Sequence, residues 1–451
     1  MTKSEAEQIL SKPGLTKDTI VALSTFKEEP VWMLEIRLKA YEHYLLRPVP
    51  KWGANLEELD DSKIRFYVTP ESRKTRNWEE VPEEMKQTFA DLKIPEAERK
   101  FLAGVETQFD SNVVYGRIKK EWEEQGVIFT DTDTGLKKYP EIFKKWFGKS
   151  IPYTDNKYAA LNTACWSGGS FVYVPKGVKV KVPLQAYFYI KTSNLGQFER
   201  TLIVAEEGAE VQYVEGCSAP QYSSDVLHSG VIELIALKES RIRYTTIQNW
   251  SKNIYNLVTQ RGLAYDRATI EWVDCNIGSK ITMKYPSVVM VGNGAHGEVL
   301  SIAYARRGQH LDSGAKMIHI GKNTSSVITT KSICKDGGRT SYRGLVKVTK
   351  GAKNTKSKIV CDALILDNIS QTDTYPYNEI YEKQSKVEHE ASVSRVSENQ
   401  LYYLMSRGIT EEEAGGLIVS GFIEPIAKEL PMEYAMEMND LIKMSMKGSV
   451  G

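Results

Sequence analysis

The 451-residue chain has no excess of either charge, because 59 lysines and arginines face 58 aspartates and glutamates. A general binder of nucleic acid needs a basic excess or patch, so the composition argues against nucleic acid as a partner. The chain also lacks any run of roughly 18 apolar residues, which a membrane span requires. No apolar core follows Lys3, as it would in a secretory signal. We therefore expect no membrane association and a cytoplasmic location.

Cysteine is scarce and shows no CxxC spacing, which argues against a simple disulfide framework and fits a reducing compartment. The five cysteines are Cys165, Cys217, Cys275, Cys334 and Cys361. A usable phosphate-binding loop is also lacking, because Gly321-Lys322 is followed by Asn323 and has no glycine five residues before Gly321. Any dependence on ATP is therefore expected to come from a partner protein.

The first 155 residues have a charged and mainly helical pattern. The segment from Pro30 to Leu46 places apolar residues at helical spacing, and a further helix is predicted to begin at Asn77. The charged, helical pattern continues from Asn112 to Gln125. These features predict an N-terminal helical domain over residues 1–155.

Short runs of Val, Ile, Tyr and Thr, interrupted by Gly, Asn and Pro, fill residues 156–395. A turn followed by an alternating strand recurs there every 27 to 31 residues, which indicates stacked strand repeats. The absence of helical patterns argues against βαβ units, and a propeller would need longer blades of four strands. We therefore predict a β-helix. The repeats begin at Gly177, Gly208, Glu239, Arg267, His296, Asn323 and Gly351.

A helical pattern returns over residues 396–451. Ser397 and Thr410 each precede a helical segment in the position of a capping residue. The segment Met432–Met446 predicts a last helix and holds five of the twelve methionines. Methionine is common at adaptable binding surfaces, although the same stripe would also suit packing on the β-helix. We predict a C-terminal helical domain, and favour docking of a partner over simple packing.

Cys217 lies in the segment Val214-Glu-Gly-Cys-Ser-Ala-Pro, which predicts a turn directly after a strand. Small neighbours on both sides would leave the thiol sterically open and reactive. The alternative is a semi-buried cysteine that fills a tight turn. Spacing alone favours this second interpretation.

Cys361 and the Glu388-His389-Glu390 triplet are separated by about one repeat, so they are expected to lie close together in a β-helix. Thiolate, imidazole and carboxylate groups are suitable ligands for iron or another transition metal. The alternatives are a small core residue at Cys361 and a polar triplet with one inward side chain and two solvated ones.

Many segments of this chain, taken in order, resemble the SufB/SufD family, whose members are subunits of the SUF iron–sulfur cluster assembly machinery. The resemblance covers nearly the whole chain, and Gln248-Asn-Trp and Glu-Gly-Cys217 favour the SufB branch. The other segments are Asn156-Lys-Tyr-Ala-Ala-Leu-Asn, Phe171-Val-Tyr-Val-Pro-Lys-Gly, Gly196-Gln-Phe-Glu-Arg-Thr, Gly278-Ser-Lys-Ile-Thr-Met-Lys-Tyr-Pro-Ser, Lys316-Met-Ile-His-Ile-Gly-Lys-Asn-Thr, Ser341-Tyr-Arg-Gly-Leu-Val, Cys361-Asp-Ala-Leu, Tyr375-Pro-Tyr and Glu388-His-Glu-Ala.

The resemblance implies a right-handed parallel β-helix flanked by helical domains, and a complex with the ATPase SufC bound through the C-terminal helices. It implies that Cys217 accepts persulfide sulfur from a cysteine desulfurase with its carrier. Cys361 would be the thiol of the nascent cluster, with Glu388, His389 and Glu390 beside it and Cys361, His389 and Glu390 as the metal ligands. The second scaffold subunit would be SufD or another copy of this chain. The cluster would be transient, of the 4Fe-4S or 2Fe-2S type, and the sequence does not indicate whether a flavin binds.

Three functions therefore remain open from the sequence. The first is an assembly scaffold that works with a partner ATPase and is not itself an enzyme. The second is a structural partner subunit of the SufD kind. The third is a β-helical carbohydrate-active enzyme with paired carboxylates, which the fold alone would allow. Thiols at the centres of the motifs and the lack of a secretory signal favour the first.

Overall fold

The computed structural model describes residues 1–68, 104–190, 192, 194–220, 224–428 and 442. Helices occupy both ends of the described chain, and strands fill its middle. The helices are α1 (Lys3–Leu10), α2 (Lys17–Lys27), α3 (Val31–Leu46), α4 (Lys120–Glu123), α5 (Thr132–Lys138), α6 (Pro140–Trp146), α7 (Lys157–Cys165), α8 (Glu398–Met405) and α9 (Glu411–Ala427), with a 3₁₀ turn at Asp61–Lys63.

The strands form a ten-stranded and a twelve-stranded sheet. The first contains β1 (Gly104–Phe109), β2 (Asn112–Ile118), β5 (Leu184–Tyr189), β8 (Glu210–Ser218), β11 (Arg241–Trp250), β13 (Thr269–Gly278), β16 (His296–Ala305), β18 (Ser325–Cys334), β20 (Thr355–Ile365) and β22 (Ser385–Arg395). The second contains β3 (Ile128–Asp131), β4 (Ser170–Val174), β6 (Gly196–Gln197), β7 (Arg200–Ala205), β9 (Val226–His228), β10 (Val231–Ala236), β12 (Ile254–Ala264), β14 (Ile281–Lys284), β15 (Ser287–Met290), β17 (His310–His319), β19 (Arg339–Val348) and β21 (Gln371–Ile380).

The two sheets form a parallel β-solenoid of about eight turns. In the ten-stranded sheet, strands β8 to β22 stack in continuous parallel register. The repeats predicted from Gly208 to Gly351 each lead into one of these strands. The repeat at Gly177 instead forms an isolated bridge, between Lys179 and Glu210. The prediction of a mostly β fold with a parallel β-helical core and helical ends is confirmed.

The turn at or just before the start of each predicted repeat contains a residue with positive φ. Gly208 has a φ of 69° and Asn323 a φ of 57°, both in the left-handed region. Glycine enters that region without steric cost, and asparagine enters it more readily than most other residues. Glu239 and Arg267 adopt the same conformation, with φ of 59° and 55°, so the repeats share a turn geometry and not a single residue type.

Aromatic side chains stack along the interior of the solenoid. Tyr213, Tyr244 and Trp272 occupy register-matched positions on β8, β11 and β13. Their ring centroids are 5.0 Å and 5.2 Å apart, and all three side chains are fully buried. Such ring pairs contribute about 0.5–1.5 kcal/mol each beyond the burial of their area. This stack of three rings fixes the register between successive turns of the solenoid.

The N-terminal region is less helical than predicted. Helix α3 follows Pro30 as expected, but part of the segment Asn112–Gln125 was wrongly taken as helical, because Asn112–Ile118 is strand β2. β2 pairs with β1 as an antiparallel hairpin, and β1 adds in parallel to β5. The hairpin covers this edge of the solenoid. The helix predicted from Asn77 lies outside the described residues, and the three domain boundaries remain predictions.

A buried ion pair fastens the chain before α7 to the solenoid. Arg200 and Glu233 lie on neighbouring strands, and their fully buried side chains form a salt bridge. Glu233 accepts hydrogen bonds from the amides of Ser150 and Ile151 at 3.0 Å and 2.9 Å. Arg200 donates to the carbonyl of Ile151 at 3.0 Å and to the hydroxyl of Thr163 at 2.8 Å. This cluster satisfies both charges and fixes the loop on the sheet.

At the C-terminal end, α9 packs on the outer face of the ten-stranded sheet. Its buried residues Val419 and Ile423 belong to one apolar cluster with Ile302 and Ile333 of the sheet. The helix begins with the capping box that the sequence predicted, in which Thr410 and Glu413 bond each other's backbone amides. In the described part of the chain, no helix has the length and apolar character needed to cross a membrane.

Candidate functional site

Cys361 and His389 meet at the last two strands of the ten-stranded sheet. β20 and β22 pair in parallel, with Ile359 opposite His389 and Cys361 opposite Ala391. Because alternate residues of a strand share a face, Cys361 and His389 both point into the solenoid. The Sγ atom of Cys361 lies 3.7 Å from Nε2 of His389. The structure therefore brings together two of the residues that the sequence identified as candidate ligands.

Electrostatics keep both groups of this pair neutral. Burial raises the pKa of the Cys361 thiol, and the hydroxyl groups of Thr330 and Tyr342 partly offset this effect. Burial also lowers the pKa of the half-buried His389 imidazole. A neutral imidazole is the form that binds metals, whereas the thiol must release its proton first. A metal cation that binds to this pair must therefore displace the proton of the Cys361 thiol.

Glu388 and Glu390 do not join this pair, because they point to the opposite face of β22. Both are exposed, and Glu388 forms an ion pair with Lys386 at 2.5 Å. The predicted set Cys361, His389 and Glu390 is therefore not assembled within this chain. Among the residues that the structure describes, no three His, Cys, Asp or Glu side chains converge as a metal site would require.

The C-terminal end of the solenoid is open beside Cys361. β22 and β21 are the terminal strands of their sheets, each paired on one side within the described chain. Large side chains are exposed there, with Tyr377, Tyr381 and Val393 each about 60% exposed. A terminal strand presents unpaired backbone groups that can pair with another chain. The thiol–imidazole pair therefore lies one strand inside a surface suited to a partner.

Cys217 lies in a different environment from the open turn suggested by its sequence. Strand β8 continues through Cys217 to Ser218, and the side chain is 3% exposed. Gly216 is small because the ring of Tyr187 lies over it, where a Cβ atom would come within 2.5 Å of that ring. The structure therefore agrees with the buried alternative that the spacing favoured, but it places Cys217 in a strand and not in a tight turn, with the thiol facing the interior.

A carboxylate accompanies the Cys217 thiol. The thiol donates a hydrogen bond to Oε1 of Glu215 at 3.3 Å, and the Tyr244 hydroxyl donates to the other oxygen. Burial, with the nearby Glu199, raises the pKa of Glu215 to about 7. Burial and Glu215 raise the pKa of Cys217 well above its ordinary value. Cys217 is therefore a protonated thiol in the closed interior.

A row of polar side chains connects the two thiol regions, and sequence analysis missed it. Each member faces the interior of the ten-stranded sheet at the same position of the repeat and is at most 5% exposed. The signal was present as a polar residue recurring at one repeat position, but reading it requires the strand register. This polar row is Glu215, Thr246, Asp274, Ser301, Thr330 and Cys361.

The remaining cysteines lie away from this arrangement. All five cysteines are buried, and none of them forms a disulfide bond among the described residues. Cys275 belongs to the outer cluster beneath α9, and Cys165 to an apolar cluster of the N-terminal region. Cys334 lies at the end of β18 with its sulfur 3.0 Å from the Thr340 hydroxyl. These three thiols therefore serve as controls for Cys217 and Cys361.

The C-terminal helices carry an exposed apolar surface. Tyr402 is 75% exposed and Leu417 is 55% exposed, while the opposite side of α9 is buried against the sheet. Of the segment Met432–Met446, the structure describes Ile442, so the methionines predicted to bind a partner lie outside the described residues.

Fold and site together define a β-solenoid protein with an interior thiol–imidazole pair beside a free sheet edge. Two family models match it. Residues 188–422 match the core domain of SufBD proteins in SUF-system FeS cluster assembly, and residues 23–186 match the SufBD N-terminal region. The chain belongs to the SufBD family.

Curated relatives match along nearly the full chain. The chain is 58% identical over 441 residues to the iron-sulfur cluster assembly protein SufB of Bacillus subtilis, covering 98% of this chain and 95% of that protein. It is 57% identical, with the same coverage, to iron-sulfur cluster assembly SufBD family proteins of Staphylococcus saprophyticus and Staphylococcus epidermidis.

Proposed function

We propose that this chain is the scaffold subunit on which an iron–sulfur cluster is built, working with a SufC-type ATPase and not as an independent catalyst. The observation that carries the proposal is the 3.7 Å approach of Cys361 to His389 at the open end of the solenoid. Iron and sulfide are the substrates, and the finished cluster is cargo that leaves for other proteins. The setting is a reducing cytoplasm, where free thiols persist.

The site needs a second subunit. Cys361 and His389 supply two ligands, whereas each iron of a cluster binds more groups than these. The free edges of β21 and β22 lie beside the pair, so a partner docked there would face the same cluster. SufD or a second copy of this chain would fill that place, and symmetric pairing is common among soluble proteins.

Sulfur enters at Cys217 in this proposal. Because Cys217 is buried and protonated, the exchange requires a local opening at the end of β8 and loss of the thiol proton. The Cys217 thiolate then attacks the outer sulfur of a persulfide on the carrier protein of a cysteine desulfurase. The sulfur–sulfur bond of the carrier breaks, its thiolate takes up the proton, and Cys217 becomes a persulfide. No electrons are gained or lost overall in this exchange. The Glu215 carboxylate accepts a hydrogen bond from the Cys217 thiol and is therefore placed to receive its proton.

Direct exchange between Cys217 and Cys361 is ruled out by distance. Five strand-to-strand steps separate β8 from β20, which corresponds to roughly 24 Å at about 4.8 Å per step. The polar row spans this gap inside the solenoid. In this proposal a thiol reductant breaks the sulfur–sulfur bond of the Cys217 persulfide and supplies two electrons, so that the sulfur leaves as hydrogen sulfide, which the polar side chains can hydrogen-bond. We therefore assign the interior as the route for sulfur.

Persulfide formation on Cys217 is the first prediction. After incubation with a cysteine desulfurase, its carrier and cysteine, mass spectrometry of the alkylated chain is expected to find the added sulfur on Cys217. The Cys217→Ser variant should lose the modification, whereas Cys275→Ser should keep it. Added sulfur found on Cys275 or Cys334 alone would contradict the entry site.

Docking of the ATPase on the C-terminal helices is the second prediction. Tyr402→Asp and Leu417→Asp place a charge on an exposed apolar surface, and each is expected to weaken SufC binding about tenfold or more. Deletion of α8 and α9 is a poorer test, because it uncovers Ile302 and Ile333 of the sheet. Binding is measured by calorimetry with purified SufC.

A matched control is Val31→Asp, which charges a 73% exposed apolar residue at the N-terminal end of α3. It should bind SufC as the unmodified chain does. Equal affinity of all three variants would show that SufC binds elsewhere.

The experiment that tests the function itself is anaerobic reconstitution with iron and sulfide. The chain in its complex should turn brown and acquire the visible absorbance of an iron–sulfur cluster. A colourless protein with iron bound non-specifically would favour the structural, SufD-like role.

A further inference from the structure

A cavity outside the cluster site lies between the N-terminal region and the solenoid. Its volume is about 770 Å³, within the usual range for small-molecule sites. The loop that follows α3 forms one wall, the start of α7 forms a second, and strand β12 forms a third. The proposed function uses none of these residues.

The walls of the cavity carry an excess of positive charge. Asp155 is the one carboxylate among the described residues that line it, and its Oδ1 is bound by Nη1 of Arg261 at 2.6 Å. The helix α7 also begins at this wall and directs the positive end of its dipole there. Four further cations lack a carboxylate in the lining: Arg47, Lys51, Lys157 and Lys316.

Lys157 and Lys316 differ in how their ammonium groups are satisfied. Lys157 donates to the carbonyls of Tyr44 and Arg47 at 2.9 Å and 2.7 Å, where it caps the end of α3. For Lys316, the described residues offer Nζ no hydrogen-bond or ion-pair partner. Its Nζ instead lies 5.4 Å from the centre of the Tyr285 ring. Lys316 is therefore the cation that is available to a ligand.

The surroundings of Lys316 favour an anion. Burial, followed by the nearby Arg261, lowers the pKa of the Lys316 ammonium, and the carboxylate of Asp155 offsets part of this effect. A bound anion would offset both effects, and hydrogen bonds between charged groups are about twice as strong as neutral ones.

A flat ring is also accommodated by the cavity. The rings of Trp52 and Tyr285 have centroids 5.6 Å apart, and Trp52 is 55% exposed at the rim. An aromatic ring stacked on such a side chain strengthens nucleotide binding.

We propose that this cavity binds a nucleotide-like anion, with its phosphate on Lys316 and its ring on Trp52. The phosphate and the ring use different walls, so both parts of such a ligand contribute. This proposal does not rest on the proposed function, because it concerns other residues and needs no iron.

The test uses adenosine monophosphate as the probe, with the full-length chain in isothermal titration calorimetry. Adenosine and inorganic phosphate are titrated separately. The expected result is that adenosine monophosphate binds at least tenfold more tightly than either fragment. No detectable binding at millimolar concentration, or an affinity equal to that of phosphate, would overturn the proposal.

Two variants assign the binding to the cavity. Lys316→Gln removes the unpaired charge and should weaken binding about tenfold or more, and Trp52→Ala at the exposed rim should weaken it similarly. The matched control is Lys350→Gln, an exposed lysine on a turn of the solenoid, which should bind normally. Circular dichroism establishes that each variant is folded. Unchanged affinity in both cavity variants would overturn the proposal.

Discussion

Serine in place of Cys361 is expected to remove nearly all of the cluster that the chain assembles from iron and sulfide under anaerobic conditions. The physical reason is that the serine hydroxyl is close in size to the thiol but is not a thiolate ligand for iron. Cys361 is 4% exposed within a regular strand, so the near-isosteric change should leave the solenoid folded. We expect a loss of roughly tenfold or more in visible absorbance, comparable with the loss of a metal-site residue.

Two controls separate ligation from general effects of thiols. Cys334→Ser alters a buried cysteine at the end of β18 and should keep full cluster yield. Cys217→Ser should also keep it when sulfide is supplied, but should lose it when a desulfurase and its carrier supply the sulfur. Equal losses in all three variants would mean that thiols collect iron non-specifically.

Neutralising Glu233 is expected to cause the largest loss of stability. Glu233→Gln leaves the fully buried Arg200 without its counter-charge and weakens the bonds to the amides of Ser150 and Ile151. Breaking a buried pair in this way costs about 3–5 kcal/mol, which corresponds to a fall of roughly 3–5 °C in the melting temperature of a chain of this length. Scanning calorimetry measures the shift.

The control for this prediction is Glu239→Gln. Glu239 pairs with Arg267 on an exposed turn, where solvent screens the interaction. Its melting temperature should stay close to that of the unmodified chain. An equally small effect of Glu233→Gln would show that the buried pair does not stabilise the loop before α7.

The solenoid could be predicted from the sequence because its signal is periodic. Turn residues such as Gly208 and Asn323 recur before alternating strands, and each copy stacks on the next. The hairpin of β1 and β2 does not repeat, and its charged residues resemble those of the helices around it. Its pairing with β5 is a contact between distant parts of the chain, which a local pattern does not reveal.

Part of the candidate site was also predicted from the periodicity of the repeats. The repeat length correctly placed Cys361 near His389, whereas strand alternation turns Glu388 and Glu390 away. This alternation can be predicted from the sequence if the segment with Glu388, His389 and Glu390 is assigned as a strand. The spacing favoured a partly buried Cys217, but the continuation of β8 through it was not predicted, because Gly216 resembles a turn residue until the Tyr187 ring is known to cover it.

The central claim is that Cys361 and His389 together hold the nascent cluster. The most direct measurement is pulsed electron paramagnetic resonance of the reduced cluster in the complex, with the chain labelled with ¹⁵N-histidine. Ligation by His389 predicts a directly coordinated ¹⁵N signal that disappears in His389→Ala. A cluster of full yield without that coupling, or with the coupling unchanged in His389→Ala, would contradict it.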